Sequence, residues 1–273
     1  MSIKDVLLLA DSKSSKAGAY AVSLASKFDA HLTAAGLVLD LTSPNAREVL
    51  SYDVFVSVAE NQKSAVRREL ESFAQEARLN DVHTEVEVIS APLGTARQAL
   101  VRLARQFDLA IVEQSDVDRK RDRDLELEAV LFGSGRPVIA VPYIHKGPLR
   151  FDRMLVAWDG GSVAARAIGD AMALLVRARQ VQIVTVVDAP DQEIEIPGVD
   201  IARHLARHGI NAELKILPHV IDVANTLLSY AADCSADLLV MGGYGHSRLR
   251  EFVFGGTTRA MLQTMTLPVF MSH

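Results

Sequence analysis

Val6-Leu-Leu-Leu-Ala-Asp11 and Met154-Leu-Val-Ala-Trp-Asp159 follow one pattern, an apolar run that ends in Asp and leads into an alanine-rich amphipathic stretch. The likeness continues downstream of both. A second apolar run, His31 to Asp40 and Val181 to Asp188, again closes on Asp. Further on, Asp108-Leu-Ala-Ile-Val matches Asp237-Leu-Leu-Val-Met, and Arg136-Pro-Val-Ile-Ala-Val-Pro142 matches Leu267-Pro-Val-Phe-Met271. The offset between copies is about 148 residues early and about 130 late. The first copy therefore holds an insertion of about 18 residues between its second and third strands. It falls within Asn45 to Asn80, which reads as a longer helix.

The apolar runs are aliphatic or β-branched and mostly do not alternate, as strands buried on both faces read. Between them the spacing is helical, as in Ala164, Ile168, Ala171, Leu174 and Leu175. Strands alternating with helices imply parallel sheets covered on both sides. The expected fold is α/β, with two tandem doubly wound domains, each with a five-stranded parallel sheet. The domains are expected at residues 1–146 and 151–273, with a linker at Tyr143 to Arg150 punctuated by Pro142, Gly147 and Pro148. Each copy ends in a short apolar strand, so the two are expected to pack as an intramolecular pseudo-dimer, with further dimerisation left open.

Composition narrows the function classes. The chain has 273 residues, 49% hydrophobic and 23% charged, with a net charge of -5, as in ordinary globular proteins. Neither half has the basic excess that phosphate neutralisation needs, which argues against nucleic acid or anionic membrane as a partner. The single cysteine, Cys234, suits a reducing compartment. The apolar run at Val6 is too short for a signal peptide, and no apolar stretch reaches the roughly 20 residues that span a bilayer. A cytoplasmic protein is the expectation.

After the fourth strand of the second copy comes Met241-Gly-Gly-Tyr-Gly-His-Ser-Arg-Leu-Arg-Glu-Phe-Val-Phe-Gly-Gly-Thr-Thr258. Glycines at 242, 243 and 245 permit positive φ and close approach of a ligand. Gly255-Gly256-Thr257-Thr258 then opens a short helix, whose free N–H groups suit phosphate. A turn and a glycine-rich helix start with no ligand is the plain alternative. In a doubly wound sheet, ligands sit at the carboxyl ends of the strands where the order reverses. A flavodoxin-like order would set strands one and four around that crevice, with Asp159 facing the glycine loop.

The spacing Gly242-x-x-Gly245, nine residues, Gly255 resembles the ATP-binding signature of the universal stress proteins, and Leu155-Val-Ala-Trp-Asp159 is similar to that family's first strand. The resemblance covers nearly the whole chain as a tandem pair and implies that the two doubly wound domains are of the adenine nucleotide α-hydrolase-like kind. It implies a stress-response or regulatory protein holding ATP or another adenine nucleotide, with magnesium as an optional companion and hydrolysis slow or absent. Asp159 and the backbone of Val186 would lie near the base or ribose. Met241, Gly242, Gly245, Gly255, Gly256 and Thr257 would line the phosphate side. Gly256 stands where the family usually has Ser or Thr; either Thr257 supplies the hydroxyl or backbone N–H groups act alone.

The matching segment of the first copy, Glu113 to Glu126, has no glycine and many carboxylates, so one nucleotide per chain is expected. Gly133-Ser134-Gly135 reads as a helix stop. His204 and His208 share a helix face but lack a third ligand. Asp191, Glu193 and Glu195 read as an exposed loop, and His246, Arg248 and Arg250 either reach phosphate or face solvent. No nucleophile stands beside a general base. An interaction scaffold with a vestigial nucleotide site, engaging a protein partner, is the competing reading.

Overall fold

The computed structural model describes residues 2–10, 16–40, 52–115, 122–188, 197–220, 222–243 and 256–273. Strands and helices alternate along the chain as the periodicity requires, and the chain divides into two compact units. One takes Ile3–Arg136 with Lys146–Pro148, and the other chiefly Pro137–His145 and Leu149–His273.

In the N-terminal unit the elements run β1 (Asp5–Leu9), α1 (Lys16–Phe28), β2 (His31–Asp40), α2 (Tyr52–Arg78), β3 (Thr84–Pro92), α3 (Ala96–Ala104), β4 (Leu109–Glu113) and α4 (Asp122–Gly133). Its sheet has the order β3-β2-β1-β4, with every pair parallel. The C-terminal unit takes β5 (Val138–Val141) and then β6 (Arg153–Ala157), α5 (Ser162–Leu175), β7 (Gln180–Val187), α6 (Val199–Arg207) and β8 (Ala212–Pro218). It closes with α7 (Val223–Asp233), β9 (Leu238–Gly242), α8 (Thr257–Thr264) and β10 (Val269–Ser272). The order there is β5-β10-β9-β6-β7-β8, parallel except for β5, which pairs antiparallel to β10 through Val269 opposite Ala140. The two short apolar strands that end the copies thus pair with each other.

Within the second copy the strand order is third, second, first, fourth, fifth. The flavodoxin order, 2-1-3-4-5, would instead set strands one and three at the reversal. The chain leaves β6 toward β7 and β8, then returns to β9 on the other flank, so the crevice opens between β6 and β9. The strands one and four named from the sequence do flank it, but in a different order from the one invoked.

One device recurs in both copies and accounts for a matched Asp. Asp108 Oδ2 accepts the backbone N–H groups of Lys4 at 2.8 Å and Asp5 at 3.1 Å. Asp237 Oδ2 accepts those of Asp152 at 2.9 Å and Arg153 at 2.8 Å. Each aspartate opens the fourth strand and ties down the start of the first. The insertion is likewise a helix: α2 has 27 residues against 9 in α6. Behind these elements the sheet residues Leu7, Leu8, Ile111, Leu155, Val156 and Val240 are fully buried.

Gly135, with φ of +71°, is the residue that stops α4. Gly133 is glycine for another reason, because a Cβ there would lie 2.9 Å from Val101 Cγ1 of α3. The carbonyl of Gly133 accepts from Arg105 Nη2 at 3.0 Å, a cation at a helix C-terminus.

Candidate functional site

The crevice begins where β6 ends. Trp158 N–H donates to Val184 C=O at 2.9 Å, the last bond between that strand and β7. Gly160 follows with φ of +75°, which lets the chain turn back into α5. Asp159 is exposed, and its Oδ1 accepts the Gly161 N–H at 2.8 Å. The side chain therefore closes an Asx turn at the start of α5 with one oxygen. Its other oxygen has no partner among the described residues.

β7 runs on past the end of β6 while still paired to β8, through Val187 opposite Pro218. In a strand the N–H and C=O of one residue point to the same side, and successive residues alternate. Val184 C=O faces β6, and Val187 C=O faces β8, where it accepts from His219 N–H at 2.9 Å. Val186 therefore turns its N–H and C=O toward β6, beyond the end of that strand. Neither group has a partner among the described residues. The result is an open backbone edge, one donor beside one acceptor, on the strand next to Asp159.

On the other flank, β9 ends in Met241 and Gly242. Met241 is buried in the sheet opposite Met271. A Cβ on Gly242 would lie 2.8 Å from the backbone of both Val163 and Ala164, so only glycine allows α5 to approach this strand. Gly243 is tied to the C-terminal strand. Its N–H donates to Ser272 C=O at 2.8 Å, and its carbonyl lies 2.9 Å from His273 Nδ1. Gly256 caps α8 with ordinary dihedrals, φ -59° and ψ 158°, and its carbonyl accepts the Ala260 N–H at 3.1 Å. Thr257 is half-buried in the first turn of α8, a turn without acidic residues. Gly245 and Gly255 lie outside the described residues, as do His246, Arg248, Arg250 and the acidic run Asp191, Glu193 and Glu195.

The first copy shows what replaces this arrangement. Counting from Asp108 and Asp237, Glu113 occupies the place of Gly242. Its Oε2 accepts the Ala17 N–H at the start of α1, at 3.0 Å. A carboxylate thus takes up a helix amide beside the first copy's crevice, where it also opposes any incoming anion. Nothing in the sequence of Glu113 alone marks that contact.

Two further residues stand at the rim. His219 Nδ1 lies 2.7 Å from Asp188 Oδ1, at the carboxyl ends of the adjacent strands β8 and β7. His204 and His208 do meet, with ring centroids 4.9 Å apart, but no cluster of three metal-ligating side chains occurs among the described residues. Cys234 is half-buried after α7, and its carbonyl accepts from Arg153 Nη1. A cavity of about 800 Å³ between α1 and α2, lined by Ala19, Val22, Phe73 and Glu76 among others, contains none of the candidate nucleotide-site residues. No described helix is long and apolar enough to cross a membrane.

Residues 150–273 match the model of the universal stress protein family. The universal stress protein Slr1230 of Synechocystis is 28% identical over 145 residues, which are 52% of this chain and 49% of that protein. The match thus spans about half the length of this curated relative. A universal stress protein from Archaeoglobus fulgidus has the same fold, with a TM-score of 0.75 at 16% identity over 98% of this chain and 95% of its own. A functionally unknown protein from Pseudomonas aeruginosa superposes with a TM-score of 0.63, also at 16% identity, over 99% and 92% of the two chains.

Proposed function

We propose that the C-terminal unit, whose residues 150–273 match the universal stress protein family, binds an adenine nucleotide in the crevice between β6 and β9. The observation that carries this reading is the open edge of Val186. One N–H and one C=O, side by side and unpaired, match the acceptor and donor on the edge of adenine. The free oxygen of Asp159, on the next strand, is a matching acceptor for ribose hydroxyls. The α8 start offers N–H groups with no carboxylate in its first turn, which suits phosphate. Gly245 and Gly255 enter on their spacing in the sequence. Thr257 supplies either a hydroxyl or a backbone N–H, and magnesium arrives with the nucleotide.

The role we infer is regulatory: occupancy of the crevice reports nucleotide status within a stress response. One observation favours the scaffold reading instead. Gly242 is explained by the packing of α5, and both polar groups of Gly243 are engaged by the C-terminal strand, so two of the glycines need no ligand. Mass spectrometry of small molecules released from the purified, denatured full chain separates the two. Binding predicts an adenine nucleotide, and Asp159→Ala should lower affinity for added ATP about tenfold, the loss of a charge-assisted hydrogen bond. A chain that carries no nucleotide and binds none in titration supports the scaffold.

A further inference from the structure

We propose that His219, held by Asp188, is a specificity-determining residue that selects a 6-amino purine over a 6-oxo purine. The proposal rests on the nucleotide reading of the same crevice. His219 Nδ1 and Asp188 Oδ1 are 2.7 Å apart. An ionised carboxylate only accepts, so the shared proton sits on Nδ1 and the neutral ring presents Nε2 as a lone-pair acceptor. That nitrogen has no partner among the described residues. The His219 side chain is 37% exposed, so its free edge is open to a ligand.

Position joins this acceptor to the base site. The register Val187 opposite Pro218 continues to Asp188 opposite His219, and the His219 backbone is fixed to Val187 C=O. By alternation along β7, Asp188 shares its face with Val186. Through Asp188 the imidazole is thus anchored at the carboxyl end of β7, two residues beyond Val186. A 6-amino group carries two hydrogens. One can meet Val186 C=O, and the other has Nε2 as its acceptor. A 6-oxo group would place an oxygen lone pair against that of Nε2, with neither able to donate.

The first copy supports a ligand role over a structural one. Its second strand ends in Asp40, which lies opposite Pro92, so no histidine faces that aspartate across the strand pair. The residue after Pro92 is Leu93, exposed to 73%. The two strand ends are thus built without a histidine in the copy that lacks the glycine loop.

The test is calorimetric titration of ATP and of ITP, which differ at the 6-position and N1 of the base, into the full chain at about pH 8, above the ordinary imidazole range. Wild type should prefer ATP. His219→Ala should weaken ATP about three- to tenfold, the loss of one hydrogen bond, and leave ITP unchanged. Asp188→Ala frees the ring to carry its proton on Nε2, so ITP should bind more tightly and the preference should narrow. Thermal melts establish that each variant is folded. If wild type binds ATP and both variants keep its ATP-to-ITP ratio, this proposal is overturned while the nucleotide reading stands. If wild type binds neither nucleotide, both fall.

Discussion

Gly242 and Glu113 hold the same place in the repeat and show how far a single residue can be read. The sequence marks Gly242 as glycine that something must approach, and the approaching group is the backbone of α5, 2.8 Å from where a Cβ would stand. Spacing along the chain does not distinguish a ligand from a neighbouring helix. We predict that Gly242→Ala destabilises the C-terminal unit by about 1–3 kcal/mol through overpacking against backbone that cannot move aside. Gly169, exposed on α5 with nothing within 4 Å of a Cβ, is the control. Gly169→Ala should stabilise by about 0.5–1 kcal/mol, from reduced freedom of the unfolded chain. Urea unfolding of the two variants measures both; equal effects would mean that α5 yields at Gly242. Gly133 carries the same lesson, since it makes room for Val101 while Gly135 supplies the helix stop. Val186 was legible only through the family resemblance, because its open edge depends on β6 ending one strand away.

Elements were legible where burial on both faces makes a strand an unbroken apolar run, as in β1, β4, β6 and β9. The third strands are different. β3 reads Thr-Glu-Val-Glu-Val and β8 reads Ala-Glu-Leu-Lys-Ile, alternating because each pairs only on one side within its unit and shows part of one face to solvent. The inserted helix was legible from the shift in offset, and α2 exceeds α6 by the 18 residues that the offset requires. Capping at α7 gives an element-scale prediction. Asp222 Oδ1 accepts the Asn225 N–H at 2.9 Å, and that backbone bond, with a second from the Asn225 side chain, holds the carboxyl below its ordinary range. A depressed native pKa contributes stability above the unfolded-state value and loses it as pH falls through the native one. Asp222→Ala should therefore cost about 1 kcal/mol at neutral pH. The gap in melting temperature between it and wild type should narrow as pH falls below about 4. A gap that is constant from neutral to acid pH would show that the carboxylate does not carry the cap.

At the scale of the whole molecule, one α/β pattern is written twice, and the proposed nucleotide site belongs to the second copy. In the first, a carboxylate occupies the α1 amide, and the glycine spacing is gone. The single tryptophan, Trp158, sits between β6 and Asp159, so its fluorescence should change when ATP fills the second crevice. An ATP-saturated chain with unaltered emission would place the ligand elsewhere. The most direct measurement is the stoichiometry of ATP bound to the full chain by titration calorimetry, with Gly245→Val alongside wild type and melts confirming that both are folded. One site per chain is expected in wild type, with at least a tenfold loss of affinity in Gly245→Val, since phosphate would lose at least one charge-assisted hydrogen bond. Two equivalent sites, or binding that a folded Gly245→Val retains in full, would contradict it.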